Sequence, residues 1–146
     1  MKEYYSYEQF KEDTHSLLDR VKEFQPEGIV AVARGGMTLA HALAQGLDLR
    51  DVQSLRTELY DSQNKRDKIE LFGSCSFGTK RRVLVVDDIA DSGETLICVM
   101  EYLEKNFKDI EFRVATLFYK KTSLYQPHYS INEAKAWIDF FWEADF

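Results

Sequence analysis

The chain has 146 residues, 45% of them hydrophobic, and a formal net charge of −6. That length suits a single domain over 1–146, and that apolar content excludes a disordered chain. The negative balance argues against non-specific binding to nucleic acid or anionic membrane, which is driven by basic surface, but leaves room for a small anionic ligand held by local cations and backbone N–H groups.

The opening stretch MKEYYSYEQFKED lacks the apolar core and small residues of a secretory leader, and the apolar runs are too short for a membrane span. Two reduced cysteines, Cys75 and Cys98, fit a cytoplasmic protein. Phe10, Leu17, Leu18, Val21 and Phe24 recur at helical spacing and predict an amphipathic helix within 7–24. GIVAVA (28–33) predicts a buried strand. MTLAHALAQG (37–46) predicts a helix, with Gly46 as its stop. Leu55, Thr57 and Leu59 alternate like a strand with one buried face. The polar run DSQNKRDKIE (61–70) reads as a solvated loop, and 71–80, with Gly73 and Gly78, as a short strand pair. VLVV (83–86) predicts a buried strand, LICVMEYLEKNF (96–107) a helix, and FRVATLFY (112–119) a further strand before the aromatic tail AWIDFFWEADF. Strands alternating with helices predict an α/β protein with a mostly parallel sheet flanked by helices. Ligands of such sheets sit at the carboxyl ends of the strands, where ARGG (33–36) and DDIADSGET (87–95) fall.

The second of these combines chemistries that suit different ligands. Ionised Asp87 and Asp88 only accept hydrogen bonds, so they match vicinal sugar hydroxyls. Ser92, Gly93 and Thr95 open a helix whose first N–H groups lack intrahelical partners and suit a phosphate. A sugar phosphate satisfies both. Helix capping by Asp91, Ser92 or Thr95 is expected as well, but it does not account for two acids at the end of a buried strand. A receiver domain, whose aspartates hold Mg²⁺, is excluded. Its acid pair lies near the start of the domain, whereas Asp88 lies past the middle of this chain, and FRVATLFY ends in Lys120-Lys121 without a phosphoacceptor aspartate.

VLVVDDIADSGET (83–95) resembles the phosphoribosyl-diphosphate signature of type I phosphoribosyltransferases. VARGGM (32–37) resembles the family's pyrophosphate loop, and YDSQNKRD (60–67) its mobile loop in the bacterial xanthine-guanine branch. LFYKK (117–121) and AWIDFFWE (136–143) resemble that branch's base-binding end. The resemblance implies the type I fold with a small hood made by the terminal segments. It implies transfer of ribose 5-phosphate from phosphoribosyl diphosphate to a purine, with Mg²⁺ as cofactor, in a homodimer or homotetramer.

Carried onto this chain, the resemblance gives Asp87 and Asp88 the ribose hydroxyls, directly or through Mg²⁺, with Asp88 as the metal residue. Asp91 becomes the catalytic group that takes the purine N7 proton. Ser92, Gly93, Glu94 and Thr95 would wrap the 5′-phosphate through backbone N–H groups, with the Glu94 side chain in water. Arg34, Gly35 and Gly36 would bind pyrophosphate. Arg66, by itself a solvated charge in a polar run, becomes a second pyrophosphate contact on a lid. Lys120 only donates hydrogen bonds, which suits the O6 acceptor of hypoxanthine, guanine or xanthine and mismatches adenine. Trp137 would stack on the purine, although on sequence alone it reads equally as a core aromatic, and the Ile138 backbone would read the purine edge. Glu143 falls near the metal and pyrophosphate. A regulatory protein that kept the sugar pocket and lost turnover is the alternative; such a protein needs a nucleic-acid surface, and the chain shows no dense basic stripe.

Overall fold

The structure, a computed structural model, describes residues 1–61 and 67–146. Chain order is β1 (Lys2–Tyr5), α1 (Tyr7–Val21), β2 (Gly28–Ala33), α2 (Met37–Leu47), β3 (Val52–Asp61), β4 (Asp67–Phe72), β5 (Arg82–Val86), β6 (Ile89–Ala90), α3 (Glu94–Asn106), β7 (Glu111–Tyr119), β8 (Tyr129–Glu133) and β9 (Trp137–Phe140).

The predicted strands at the centre are the continuous apolar runs. β2 pairs in parallel with both β3 and β5, and β5 pairs in parallel with β7. Side chains alternate across the sheet. Ile29, Ala31, Leu84 and Val86 pack towards α1, α2 and the hood, while Val30, Val32, Val83 and Val85 pack towards α3. A strand buried on both faces needs apolar residues at every position, which explains why these segments read without alternation. β6 continues the line of β5 against β7, with Val86 opposite Ala115 and Ile89 opposite Phe118. The ladder is interrupted at Asp87 and Asp88, so the acid pair sits at the end of β5, between two strands that both pair with β7.

α1 starts at a reciprocal capping box: Ser6 Oγ accepts from Gln9 N–H, and the Gln9 side chain accepts from Ser6 N–H. The helix ends at Val21, and a 3₁₀ turn over Lys22–Phe24 completes the predicted span. α2 passes through Gly46 and ends at Leu47. Asp48 takes the left-handed cap (φ 54°), and Leu49 N–H reaches Ala44 O at 2.9 Å. Gly46 is small because α1 crosses there: a Cβ would lie 2.8 Å from Leu18 Cδ2.

Three other expectations fail for physical reasons. Asp67–Phe72 is not loop; it is β4, paired antiparallel with β3 at the edge of the sheet. A solvent-facing edge strand carries charges much as a loop does. Residues 71–80 form no strand pair. Leu71 and Phe72 end β4, Gly73 turns away at φ 106°, and Phe77 is buried with its ring 4.8 Å from that of Phe107. Leu55 is buried, but Leu59 is 60% exposed because β3 runs past Arg56, its last residue opposite β2.

The ends of the chain meet. β1 pairs in parallel with β9, Lys2 opposite Trp137 and Tyr5 opposite Phe140. This two-stranded hood is pinned to the sheet by the buried Tyr5, whose ring meets Phe118 edge-on at 5.0 Å and whose hydroxyl donates to Asp13 at 2.6 Å.

Candidate active site

The site lies at the carboxyl ends of β2 and β5. After Ala33 comes a cis peptide to Arg34, then Gly35 and Gly36, and α2 begins at Met37. Arg34 is exposed. A Cβ on Gly35 would strike the Asp88 carboxyl group, 2.7 Å from Cγ and 2.9 Å from Oδ1. One on Gly36 would meet Val86 O, and would lie 2.9 Å from Asp87 Cα and 2.9 Å from Val32 O. The two glycines therefore let the arginine loop and the acid pair interlock.

Asp87 is buried, and its Oδ1 accepts the Asp88 N–H at 2.8 Å. Asp88 Oδ1 accepts the Ile89 N–H at 2.7 Å. Burial pushes the Asp87 carboxyl well above the usual carboxylate range, and the neighbouring Asp88 charge pushes it further. Burial also raises Asp88, against its hydrogen bonds to Asp87 and the Ile89 N–H, with Glu143 adding repulsion. In an unfolded chain both acids return to about 3.9. Over the interval between the unfolded and folded values the folded chain binds more protons, so their contribution to stability is fully present below that interval and declines as pH rises through it. For metal-free protein, the Asp87→Asn variant is expected to lose less stability than wild type between pH 5 and pH 8, and to be the more stable of the two at pH 8. Urea midpoints at the two pH values check this; parallel declines would show that the acids are not strained.

The next turn leads into α3. Gly93 is its N-cap residue at φ 90° and, having no side chain, makes no cap bond itself. Of the three expected caps only Ser92 serves the helix start. Asp91 points elsewhere, Thr95 Oγ1 is 3.5 Å from Thr57 Oγ1, and Ser92 Oγ accepts only a long 3.3 Å bond from the Glu94 N–H. With its first-turn N–H groups left so, the helix start suits an anion. Glu94 itself is exposed, as expected. A cavity of about 200 Å³ is lined here by Asp87, Asp88, Asp91, Ser92, Gly93 and Thr95.

Asp91 Oδ1 receives Lys120 Nζ at 2.7 Å. The pair forms one wall of a second cavity, about 180 Å³, whose other walls include Trp137, Ile138, Phe140 and Glu143. Trp137 is 66% exposed, so it is not a core aromatic. That place is taken by Phe140, buried and stacked on Trp142 at 4.6 Å. A third cavity, about 480 Å³, is lined by Arg34, Gly35, Thr38, Asp88, Trp142 and Glu143 among others. Asp88 borders all three cavities and Glu143 two of them. Thr38 and Thr57 carried no sequence signal. They are brought in by α2 and β3, which no local motif could announce. Arg66 lies outside the described residues.

Among the described residues no three acids, histidines or cysteines cluster as a metal cage, and no helix is long and apolar enough to cross a membrane. Cys75 and Cys98 are both free thiols.

A mostly parallel sheet flanked by helices, an acid pair and a weakly capped helix start at one strand end, and an arginine-glycine loop at the next make the type I phosphoribosyltransferase fold. The chain belongs to the phosphoribosyl transferase domain family, whose model matches residues 6–145, and is accordingly an enzyme of glycosyltransferase type. It is 29% identical over 143 residues to the xanthine-guanine phosphoribosyltransferase of Nitratidesulfovibrio vulgaris, covering 96% of this chain and 83% of that one. The xanthine-guanine-hypoxanthine phosphoribosyltransferase of Helicobacter pylori superposes with a TM-score of 0.89 at 38% identity, over 98% of this chain and 94% of the other. A purine phosphoribosyltransferase of Pyrococcus horikoshii gives 0.85 at 29% identity, over 99% and 96%.

Proposed function

We propose that the protein is a purine-salvage enzyme that joins a 6-oxopurine to the ribose 5-phosphate of phosphoribosyl diphosphate, giving the nucleoside 5′-monophosphate and pyrophosphate. The carrying observation is the juxtaposition of Asp91 and Lys120 on the wall of a cavity that also holds Trp137 and adjoins the acid pair. The names of the similar enzymes support a 6-oxopurine as the base.

In this reading Asp87 and Asp88 accept the ribose hydroxyls, and their charge favours the positive charge that develops on the sugar as the diphosphate departs. The α3 start, from Ser92 to Thr95, takes the 5′-phosphate. Arg34 offers a planar fork to the pyrophosphate, and the backbone at Gly35 and Gly36 approaches it closely. Trp137 covers the purine face, the Ile138 backbone reads its edge, and Lys120 donates to O6. Asp91 takes the N7 proton as N9 attacks. Lys120 and Asp91 hold one another, so an entering purine parts them and offers each a partner: an acceptor for the ammonium and a donor for the carboxylate.

A buried and a half-buried carboxylate, Asp87 and Asp88, with no ion-pair partner among the described residues, suit Mg²⁺, which binds through one or two carboxylates plus substrate phosphates and needs no protein cage. Asp88 would hold it, beside Arg34, and when bound it would supply positive charge to the leaving pyrophosphate. The enzyme works, in this reading, as a homodimer or homotetramer in the cytoplasm, as the family resemblance and free cysteines suggest. From sequence alone, Arg66 would add a lid contact to pyrophosphate.

The test is purified protein with phosphoribosyl diphosphate, Mg²⁺ and each of hypoxanthine, guanine, xanthine and adenine. Nucleotide from one or more 6-oxopurines is expected. No product from any base would overturn the enzyme reading, and adenine as sole substrate would overturn the role of Lys120. Lys120→Ala should raise KM for the preferred 6-oxopurine about 10- to 100-fold, the worth of a charged hydrogen bond, with KM for phosphoribosyl diphosphate nearly unchanged. Equal losses for both substrates would mean a damaged fold.

A further inference from the structure

Lys120 follows β7 directly and enters an irregular turn that returns to the back of the phosphate loop. Both backbone polar groups of this lysine are taken. Its N–H donates to Ala90 O at 2.9 Å, just ahead of Asp91. Its C=O accepts from Ser123 N–H at 3.0 Å and from the Gln126 side chain at 3.1 Å. Further along, Leu124 N–H donates to Ser92 O at 2.9 Å, and Gly93 packs so closely that a Cβ there would lie 2.8 Å from Ser123 Oγ. Ser123 is buried, and its hydroxyl donates to Tyr125 O at 2.9 Å. The turn is thus fastened to the phosphate loop at two points, and Lys120 lies at one of them.

Gln126 closes the turn from outside. Its Nε2 reaches the carbonyls of Lys120 at 3.1 Å, Ser123 at 2.9 Å and, more weakly, Lys121 at 3.4 Å. Two N–H groups serve three acceptors, so one bond is shared. The side chain lines none of the three cavities of the site. Its backbone anchors would survive its loss, and water can reach the released carbonyls, so folding should suffer little. What changes is the freedom of the residue that carries the ammonium. A lysine has a long flexible stem, and its reach to a fixed point depends on how firmly its own backbone is held.

We propose that Gln126 is a positioning residue for purine binding: by clamping the 120–126 turn it holds the Lys120 backbone against the phosphate loop, so that the ammonium meets the purine in register with the sugar phosphate. This rests on the reading of Lys120 as the purine-contacting residue. Gln126→Met keeps the length and removes the donors; Gln126→Glu turns them into an anion facing the same carbonyls.

The experiment is a double-mutant cycle on the full chain, measuring KM for the 6-oxopurine that wild type uses best and for phosphoribosyl diphosphate, kcat and Tm in wild type, Gln126→Met, Gln126→Glu, Lys120→Met and the Gln126→Met/Lys120→Met pair. Gln126→Met should raise KM for that purine about 3- to 10-fold, with KM for phosphoribosyl diphosphate and kcat within about 2-fold and Tm unchanged. Gln126→Glu should raise it more. In the Lys120→Met background the effect of Gln126→Met should vanish, because coupled residues are not additive. An unchanged KM for the purine, a full-sized effect without Lys120, or a change that follows Tm overturns the proposal while leaving the enzyme reading intact. A wild type that turns over no 6-oxopurine overturns both.

Discussion

Asp91→Asn is expected to lower kcat by about 100-fold or more while phosphoribosyl diphosphate binds almost as tightly as before. A positioned general base is worth roughly 10² to 10⁴ in rate, and an amide oxygen is a far weaker proton acceptor than a carboxylate. The change conserves shape. It also breaks the ion pair with Lys120. That pair is about half exposed on both sides, so its loss should barely move Tm. The freed ammonium could even let a purine enter more readily, which would lower its KM and separate binding from chemistry. Single-turnover rates with titration of phosphoribosyl diphosphate check this. A kcat close to wild type would leave Asp91 as nothing more than a partner for Lys120.

The sequence made this residue visible because its setting is local. Thirteen consecutive positions hold the strand, the acids and the helix start, and a strand–turn–helix unit needs little from the rest of the chain to take shape. The central strands were legible for the same reason: β2 and β5 are apolar through their buried lengths because both their faces are covered, and β7 breaks its apolar run only at Arg113 and the buried Thr116. What could not be read depends on distant partners. β4 is charged because it lies at an edge. The hood joins residues 2–5 to 137–140, and neither segment alone predicts a strand. Trp137 and Phe140 are both aromatic residues in one short tail, yet one faces outward and the other is buried; only the pairing with β1 sets that register. Glu143 was legible as an acid but not as the wall between two cavities, where its Oε1 is tied back to the Phe140 N–H at 3.2 Å.

Gly35→Ala and Gly36→Ala are expected to fail in different ways, and the difference tests how the arginine loop and the acid pair fit together. At Gly35 the new methyl would meet a side chain, the Asp88 carboxyl group. A side chain can swing aside, so the protein should fold with Tm within a few degrees of wild type. The swing would break the 2.7 Å bond from the Ile89 N–H and move the carboxylate away from the ribose and the Mg²⁺ proposed for it. A misplacement of about 1 Å can cost about 100-fold, so kcat/KM for phosphoribosyl diphosphate should fall by roughly that factor. At Gly36 the methyl would meet backbone on two strands, Val86 O and Val32 O, and Asp87 Cα. Backbone inside a ladder has nowhere to go, so overpacking there should cost about 3 kcal/mol, seen as a large fall in Tm or insoluble protein. Melting curves and steady-state kinetics on both variants decide it. A fully active Gly35→Ala would mean that Asp88 can work from another position; a stable Gly36→Ala would mean that the two strand ends are not locked together as the geometry requires.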